Sequence, residues 1–200
     1  MGNIIILNGS PRAARSNSKR YAGLFSRYFP GTTAYFDITK NNHQELCARI
    51  GGFSNLLLVF PLYADAVPVT LLNFLKSLEG APPQNRPTVS VLINCGFLEP
   101  HQNDIAVQMV RLFCKRNRYP FGSVLKIGSG EAILDSPFWI LAARKIKRFS
   151  RAVAREEHRT LQITMPLTKR LFVRASTQYW RQYGEKYGTT KEQMETLKIE

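Results

Sequence analysis

Short apolar runs alternate with helix-patterned stretches along most of this 200-residue chain, and that alternation limits its fold more than any other feature. The runs are residues 3–7, 33–36, 55–60, 88–93 and 124–127, of which 33–36 is the weakest. They read as continuous apolar segments, which is the signature of strands buried on both faces. Helical stretches follow them at about 17–28, 44–50, 69–78, 103–116 and 138–154. In the third of these, Val69, Leu71, Leu72, Phe74, Leu75 and Leu78 are expected on the buried side. The repetition predicts an α/β domain: a doubly wound five-stranded parallel sheet with helices on both faces and right-handed crossovers. Such sheets bind ligands at the carboxyl ends of their strands, beside the topological switch point. The expected division is 1–160 for this domain and 161–200 for a C-terminal helical extension.

Composition narrows the function classes. No apolar run approaches the roughly 18 residues of a membrane span. Residues 1–7 carry no basic segment, and their apolar stretch is too short for a signal peptide, so a cytoplasmic location is expected. Cys47, Cys95 and Cys114 are far apart in sequence and offer no CxxC pair or metal-ligand spacing. His43, His101 and His158 are equally scattered, so a metal site is not expected. The net charge of +14 favours anionic partners, phosphate-bearing cofactors among them. It is uneven: between Trp139 and Arg174, ten Lys and Arg stand against Glu156 and Glu157, a difference of +8.

The chemistry is expected in the loops after the strands. Gly9-Ser10-Pro11-Arg12 with Ser16-Asn17-Ser18 follows the first strand and opens a helix. A helix N-terminus presents free backbone N–H groups and partial positive charge, and the serine and asparagine side chains add donors. Such a loop can surround a phosphate dianion, with Arg12, Arg15 and Lys19 strengthening the field. It is neither a Walker A sequence nor Gly-x-Gly-x-x-Gly, which disfavours a nucleoside triphosphate or a conventional dinucleotide fold. The bland alternative is a capped helix and nothing more. After the third strand, Pro61-Leu62-Tyr63-Ala64-Asp65-Ala66-Val67-Pro68 offers Tyr63 to cover an aromatic ring. After the fourth, Asn94-Cys95-Gly96-Phe97-Leu98-Glu99 offers close backbone approach at Gly96 and an aromatic face at Phe97. Cys95 reads as a small buried residue, since no histidine stands near it in sequence. A fourth loop, Gly128-Ser129-Gly130-Glu131, either lines the same rim or is only a turn. Together the loops suit a flat heteroaromatic cofactor with a phosphate tail.

Over about residues 1–155 the chain resembles the flavodoxin-like superfamily, and within it the NAD(P)H-dependent FMN reductase group. The resemblance rests on Gly9-Ser10-Pro11-Arg12 with Ser16-Asn17-Ser18, on Pro61-x-Tyr63 with Pro68 and the helix after it, and on Asn94-Cys95-Gly96-Phe97-x-Glu99. It implies FMN as cofactor, NAD(P)H as co-substrate, and dimers or tetramers. It implies FMN contacts at Gly9, Ser10, Pro11, Arg12, Ser16, Asn17 and Ser18, at Pro61, Leu62, Tyr63, Ala64 and Asp65, and at Cys95, Gly96 and Phe97. The expected function is electron transfer from NAD(P)H through FMN to a small acceptor such as a quinone or free flavin. The flavin carries that chemistry, so no catalytic side chain and no metal ligand is named. The alternative is a non-enzymatic electron carrier or partner-binding protein of the same fold.

Two features lie outside the resemblance. The basic stretch 138–155 reads either as a membrane-surface helix or, as favoured here, as the last helix of the fold. In the favoured reading Ile140, Leu141, Ile146, Phe149 and Val153 face the sheet and the cations face water. Further on, Leu171, Ala175, Tyr179, Tyr183 and Tyr187 recur every four residues, a stripe expected to pack within the subunit or across a dimer. No specific nucleic-acid partner is expected, since no reading motif accompanies the charge. Thr190-x-x-Gln193 is expected to cap a final short helix carrying Met194 and Leu197.

Overall fold

The structure, a computed structural model, describes residues 2–196; Met1 and Leu197 lie outside the described residues. Strands β1 (Asn3–Asn8), β2 (Thr32–Asp37), β3 (Asn55–Pro61), β4 (Thr88–Asn94), β5 (Phe121–Ile127) and β6 (Thr160–Ile163) form one sheet in the order β2-β1-β3-β4-β5-β6. Every pairing is parallel. The order in which successive strands are added reverses at β1, with β2 on one side of it and β3 on the other, which makes the β1/β3 junction the switch point. The sheet has six strands, not the expected five. β6 is an edge strand of four residues, paired only with β5, and its Thr160 is exposed while Leu161 and Ile163 are half-buried. Thr-Leu-Gln-Ile alternates over too short a span to register as a buried run.

Helices α1 (Asn17–Tyr28), α2 (His43–Ile50), α3 (Val69–Gly80), α4 (Asp104–Arg116) and α5 (Trp139–Ala154) cover the sheet in two layers. The central strands alternate their side chains between the layers, as the two-residue period of a strand requires. Ile5, Leu7, Leu56, Leu58, Val89, Val91 and Val124 pack into one continuous core with Leu46, Ile50, Leu71, Phe74, Leu78 and Val110 of α2, α3 and α4. On the other side α1 packs beside α5, with the Phe25 and Phe149 rings 5.6 Å apart. Two expected core residues are exposed, and two more, Leu72 and Leu141, are only half-buried. Val69 opens α3 and is 70% exposed, and Ile140 lies in the first turn of α5 and is 44% exposed. At a helix start the chain is still arriving from the sheet rim, so residues there have no strand beneath them. Ile146, Phe149 and Val153 are buried as expected.

The chain divides between Met165 and Pro166. The second unit holds α6 (Lys169–Lys186) and α7 (Lys191–Thr196). Helix α6 runs through Gly184, where a Cβ would meet the Met194 sulfur at 2.5 Å; the missing side chain admits α7. The cap of α7 forms as expected: the Thr190 amide donates to Gln193 Oε1 (2.8 Å) and the Gln193 amide to Thr190 Oγ1 (3.3 Å). No residue of α6 is buried, and the Tyr179, Tyr183 and Tyr187 rings lie against one another along its surface. Among the described residues no helix is long and apolar enough to cross a membrane.

Candidate functional site

The switch point opens a cleft at the carboxyl ends of β1, β3 and β4. Ser10, Pro11, Arg12, Arg15, Ser16, Asn17, Ser18, Pro61, Leu62, Tyr63, Asn94, Cys95, Gly96 and Glu131 line it. Eleven of the fifteen residues expected at a cofactor site therefore border one cleft. Gly9, Ala64, Asp65 and Phe97 do not. Gly9 lies beneath, where a Cβ would come within 3.0 Å of the Leu71 Cβ, so the glycine lets the loop rest on α3. Ala64 and Asp65 form the tip of a hairpin-like turn with left-handed φ of 46° and 57°. That turn is held by paired hydrogen bonds between Tyr63 and Ala66, and it presents the Tyr63 ring to solvent. The Phe97 side chain is also exposed, while its carbonyl accepts from the Ser129 amide.

The first loop is shaped by Asn8, a fully buried polar residue ending an otherwise apolar strand. Its Oδ1 accepts from the Ser10 amide (3.0 Å). Its Nδ2 donates to Asp37 Oδ1 (2.9 Å), Tyr35 Oη (3.0 Å) and Ser16 Oγ (3.3 Å). Tyr35 closes the set by donating to Asp37 Oδ1 at 2.5 Å. Burial, then the hydrogen bond to Asp37, pushes the Tyr35 phenol well above its ordinary range, so it stays protonated and keeps donating. Ser16 caps α1, its Oγ accepting from the Lys19 amide at 3.2 Å. Ser10 Oγ accepts from the Arg12 amide at 3.3 Å. The loop is thus held by its neighbours in a form that leaves the first turn of α1 open toward the cleft, beside Arg12 and Arg15.

The other walls are tied to the first. Asn94 Nδ2 donates to Ser18 Oγ (3.1 Å) and to the Phe60 carbonyl (3.2 Å). The Leu62 amide donates to the Asn94 carbonyl at 2.7 Å. Asn17 Nδ2 donates to the Glu131 carbonyl at 3.2 Å, and the buried Tyr21 hydroxyl to the Gly130 carbonyl at 2.7 Å. Nothing lies within 4 Å of where a Cβ on Gly96 would stand, so the cleft floor is open there. Burial raises the Cys95 thiol, opposed by contacts from Phe97 and Asn103, so it is a protonated, packed thiol and not a nucleophile. All three cysteines are free and buried, and no metal-binding cluster occurs among the described residues.

Sequence reasoning missed Asn8, Tyr35 and Asp37 as parts of the site. A polar residue closing the apolar run Ile4–Leu7 was the available signal for Asn8. Tyr35 and Asp37 acquire their meaning only from the pairing of β1 with β2. A larger cavity of about 610 Å³ lies between α2 and the 81–85 loop, but it has no charged lining group.

No protein-family model and no curated sequence matches the chain. Solved structures do. An NAD(P)H:quinone oxidoreductase from Methanothermobacter marburgensis superposes with a TM-score of 0.62 at 14% identity, over 76% of this chain and 96% of that one. An FMN-dependent NADH-azoreductase from Bacillus anthracis, solved with FMN, gives 0.56 at 12% identity over 77% and 100%. A flavodoxin from Streptococcus pneumonia TIGR4 gives 0.56 at 11% identity over 76% and 97%. At such identities the likeness speaks for the architecture: this chain has the flavodoxin-like α/β fold, which its structural neighbours among NAD(P)H:quinone oxidoreductases and azoreductases share.

Proposed function

We propose that the protein is an FMN-dependent oxidoreductase that takes electrons from NAD(P)H and passes them to a small acceptor such as a quinone or free flavin. The observation that carries this reading is the convergence of a helix-capped, serine- and arginine-bearing loop with Tyr63 and the open Gly96 backbone around one cleft. The donor chemistry fits a terminal phosphate at Ser10, Arg12, Ser16, Asn17 and Ser18. Tyr63 and the 94–96 backbone fit a flat ring beside it. Bound FMN supplies hydride and electron transfer. The chain's own part is to hold the phosphate on the first turn of α1, orient the ring between two loops, and keep the acceptor face open. The named structural neighbours support the same class.

The test is direct. The purified protein, reconstituted with FMN, is expected to show an oxidised-flavin absorption spectrum. Denaturation is expected to release FMN, and NADH or NADPH with a soluble quinone to bleach and restore the spectrum. Release of FAD alone, or no binding of FMN at micromolar concentration, overturns the reading. Binding without reduction by either nicotinamide favours the electron-carrier alternative.

A homo-oligomer belongs to the same proposal. The face bearing Leu171, Ala175, Tyr179, Tyr183 and Tyr187 is then what a partner subunit would cover.

A further inference from the structure

Helices α1 and α5 lie side by side on one face of the sheet. Between them they contain Lys19, Arg20, Arg27, Arg144, Lys145, Lys147, Arg148 and Arg151, and no Asp or Glu. Arg155 follows as the C-cap of α5. The opposite layer, α2, α3 and α4, is mixed, with five Lys or Arg against Glu45, Glu79 and Asp104. This layer of the sheet domain therefore carries an unbalanced positive charge. Among the described residues, Arg20 pairs with Asp135 at 2.6 Å and Arg155 with Glu157 at 3.8 Å, and no ion pair neutralises the other cations of this layer.

The arrangement on α5 identifies the partner. Ile140, Arg144, Arg148, Arg151 and Arg155 are spaced by three or four residues and so share the outward helix face; all five are exposed. The apolar face of α5 is committed to the sheet through Ile146, Phe149 and Val153, so the helix cannot roll over and sink into a bilayer. Its first turn does present Trp139 and Ile140, 49% and 44% exposed, at one end of the cationic row. Aromatic and aliphatic groups gathered at one edge of a flat basic surface suit the headgroup region of an anionic membrane, where tryptophan partitions and cations meet lipid phosphate and carboxylate. A single-stranded nucleic acid would need aromatics interleaved with the cations, and here they are separated.

We infer that the α1/α5 layer docks on an anionic lipid surface, with Trp139 and Ile140 as a shallow anchor and the arginine row of α5 lying flat on the headgroups. The inference is independent of the flavin reading, because binding is read on vesicles whether or not the cleft is filled.

The test is co-sedimentation of the full chain with vesicles of phosphatidylcholine alone and of phosphatidylcholine with phosphatidylserine, at about 0.1 M salt, where the screening length is about 10 Å. Binding is expected only to the anionic vesicles and is expected to fall steeply with added salt. The variant R144E/R148E/R151E should bind at least about tenfold more weakly. The variant K76E/K115E/R116E, with the same charge change on the opposite layer, should differ from the parent by less than about threefold. Trp139→Ala should weaken binding about three- to tenfold and remove the blue shift in tryptophan emission that vesicles induce in the parent. Unchanged melting temperatures would establish that the variants are folded, and the parent's lipid and salt dependence stands without them. Equal losses in the two triple variants, equal binding to neutral vesicles, or tighter binding to duplex DNA through the same arginines would each overturn the inference.

Discussion

Phe149 and Tyr183 are both aromatic residues on long basic helices, and they meet opposite fates. Helix α5 has 16 residues, seven of them buried, and Phe149 is fully enclosed against Phe25. Helix α6 has 18 residues and none is buried; Tyr183 is 43% exposed. Both helices show an apolar stripe with helical spacing. The difference teaches that an amphipathic pattern states a need for a partner and does not say which one. For α5 the partner is the sheet, already present in the chain. For α6 the stripe stays exposed, its tyrosine rings lying against one another.

The largest expected effect tests the enclosed side of this comparison. Phe149→Ala should lower stability by about 3–5 kcal/mol in chemical denaturation, because it removes a large ring from a packed layer and leaves a cavity. A loss below about 1 kcal/mol would mean that α5 is packed no better than α6.

Next comes the loop that opens α1, the helix beside α5. Ser10→Ala should weaken FMN by about 1.5–3 kcal/mol in a titration, while riboflavin, lacking the phosphate, should bind parent and variant alike. Ser16→Ala is a poorer probe, since Ser16 also caps α1 and its loss costs about 1 kcal/mol of stability by itself. Equal losses for both flavins in Ser10→Ala would make the loop structural.

Titration of buried thiols gives an intermediate effect. Burial pushes Cys114 up to about 12. A raised acid pKa means that the folded state disfavours the thiolate. The stability Cys114 contributes is therefore fully present below its ordinary value of 9.0 and is lost as pH rises from there toward 12. Parent stability should fall relative to Cys114→Ser by about 1.4 kcal/mol at pH 10, with no difference between their pH slopes below pH 8. In the native protein at pH 8, all three cysteines should resist a thiol reagent that titrates them after denaturation.

The smallest effect on the folded monomer is expected in α6. Tyr183→Ala should change monomer stability by less than about 1 kcal/mol, as for an exposed position. Deleting residues 168–200 should instead change the oligomeric state measured by light scattering, or lower a melting temperature that depends on assembly. Unaltered assembly and melting, together with loss of a tight, salt-resistant nucleic-acid complex, would defeat the packing role proposed for the stripe.

Much of the fold was legible in the sequence because its signals are local. Helix α1 starts and stops at residues 17 and 28 as its caps and periodicity predict. The apolar runs 3–7, 55–60, 88–93 and 124–127 all lie in parallel strands. Eleven expected cofactor residues meet in one cleft because each loop follows a strand and the fold gathers strand ends on one rim. Strand β6 escaped notice because four residues on an edge need bury little, and a short alternating run carries almost no periodic signal. Ile140 and Val69 were misplaced because periodicity takes no account of where a helix overhangs the sheet.

By itself, then, the sequence determined what short-range physics controls: strand and helix identity, the caps of α1 and α7, and the phosphate-suited chemistry of the 9–18 loop. Tertiary structure alone decided which distant groups meet. It brought Asn8, Tyr35 and Asp37 into one hydrogen-bonded set, gathered the cations of α1 and α5 onto one face, and left the opposite layer nearly balanced. The reason is that hydrogen bonds and fields depend on separation in space, and residues 8, 37 and 148 become near or far only when β1 chooses its neighbours in the sheet.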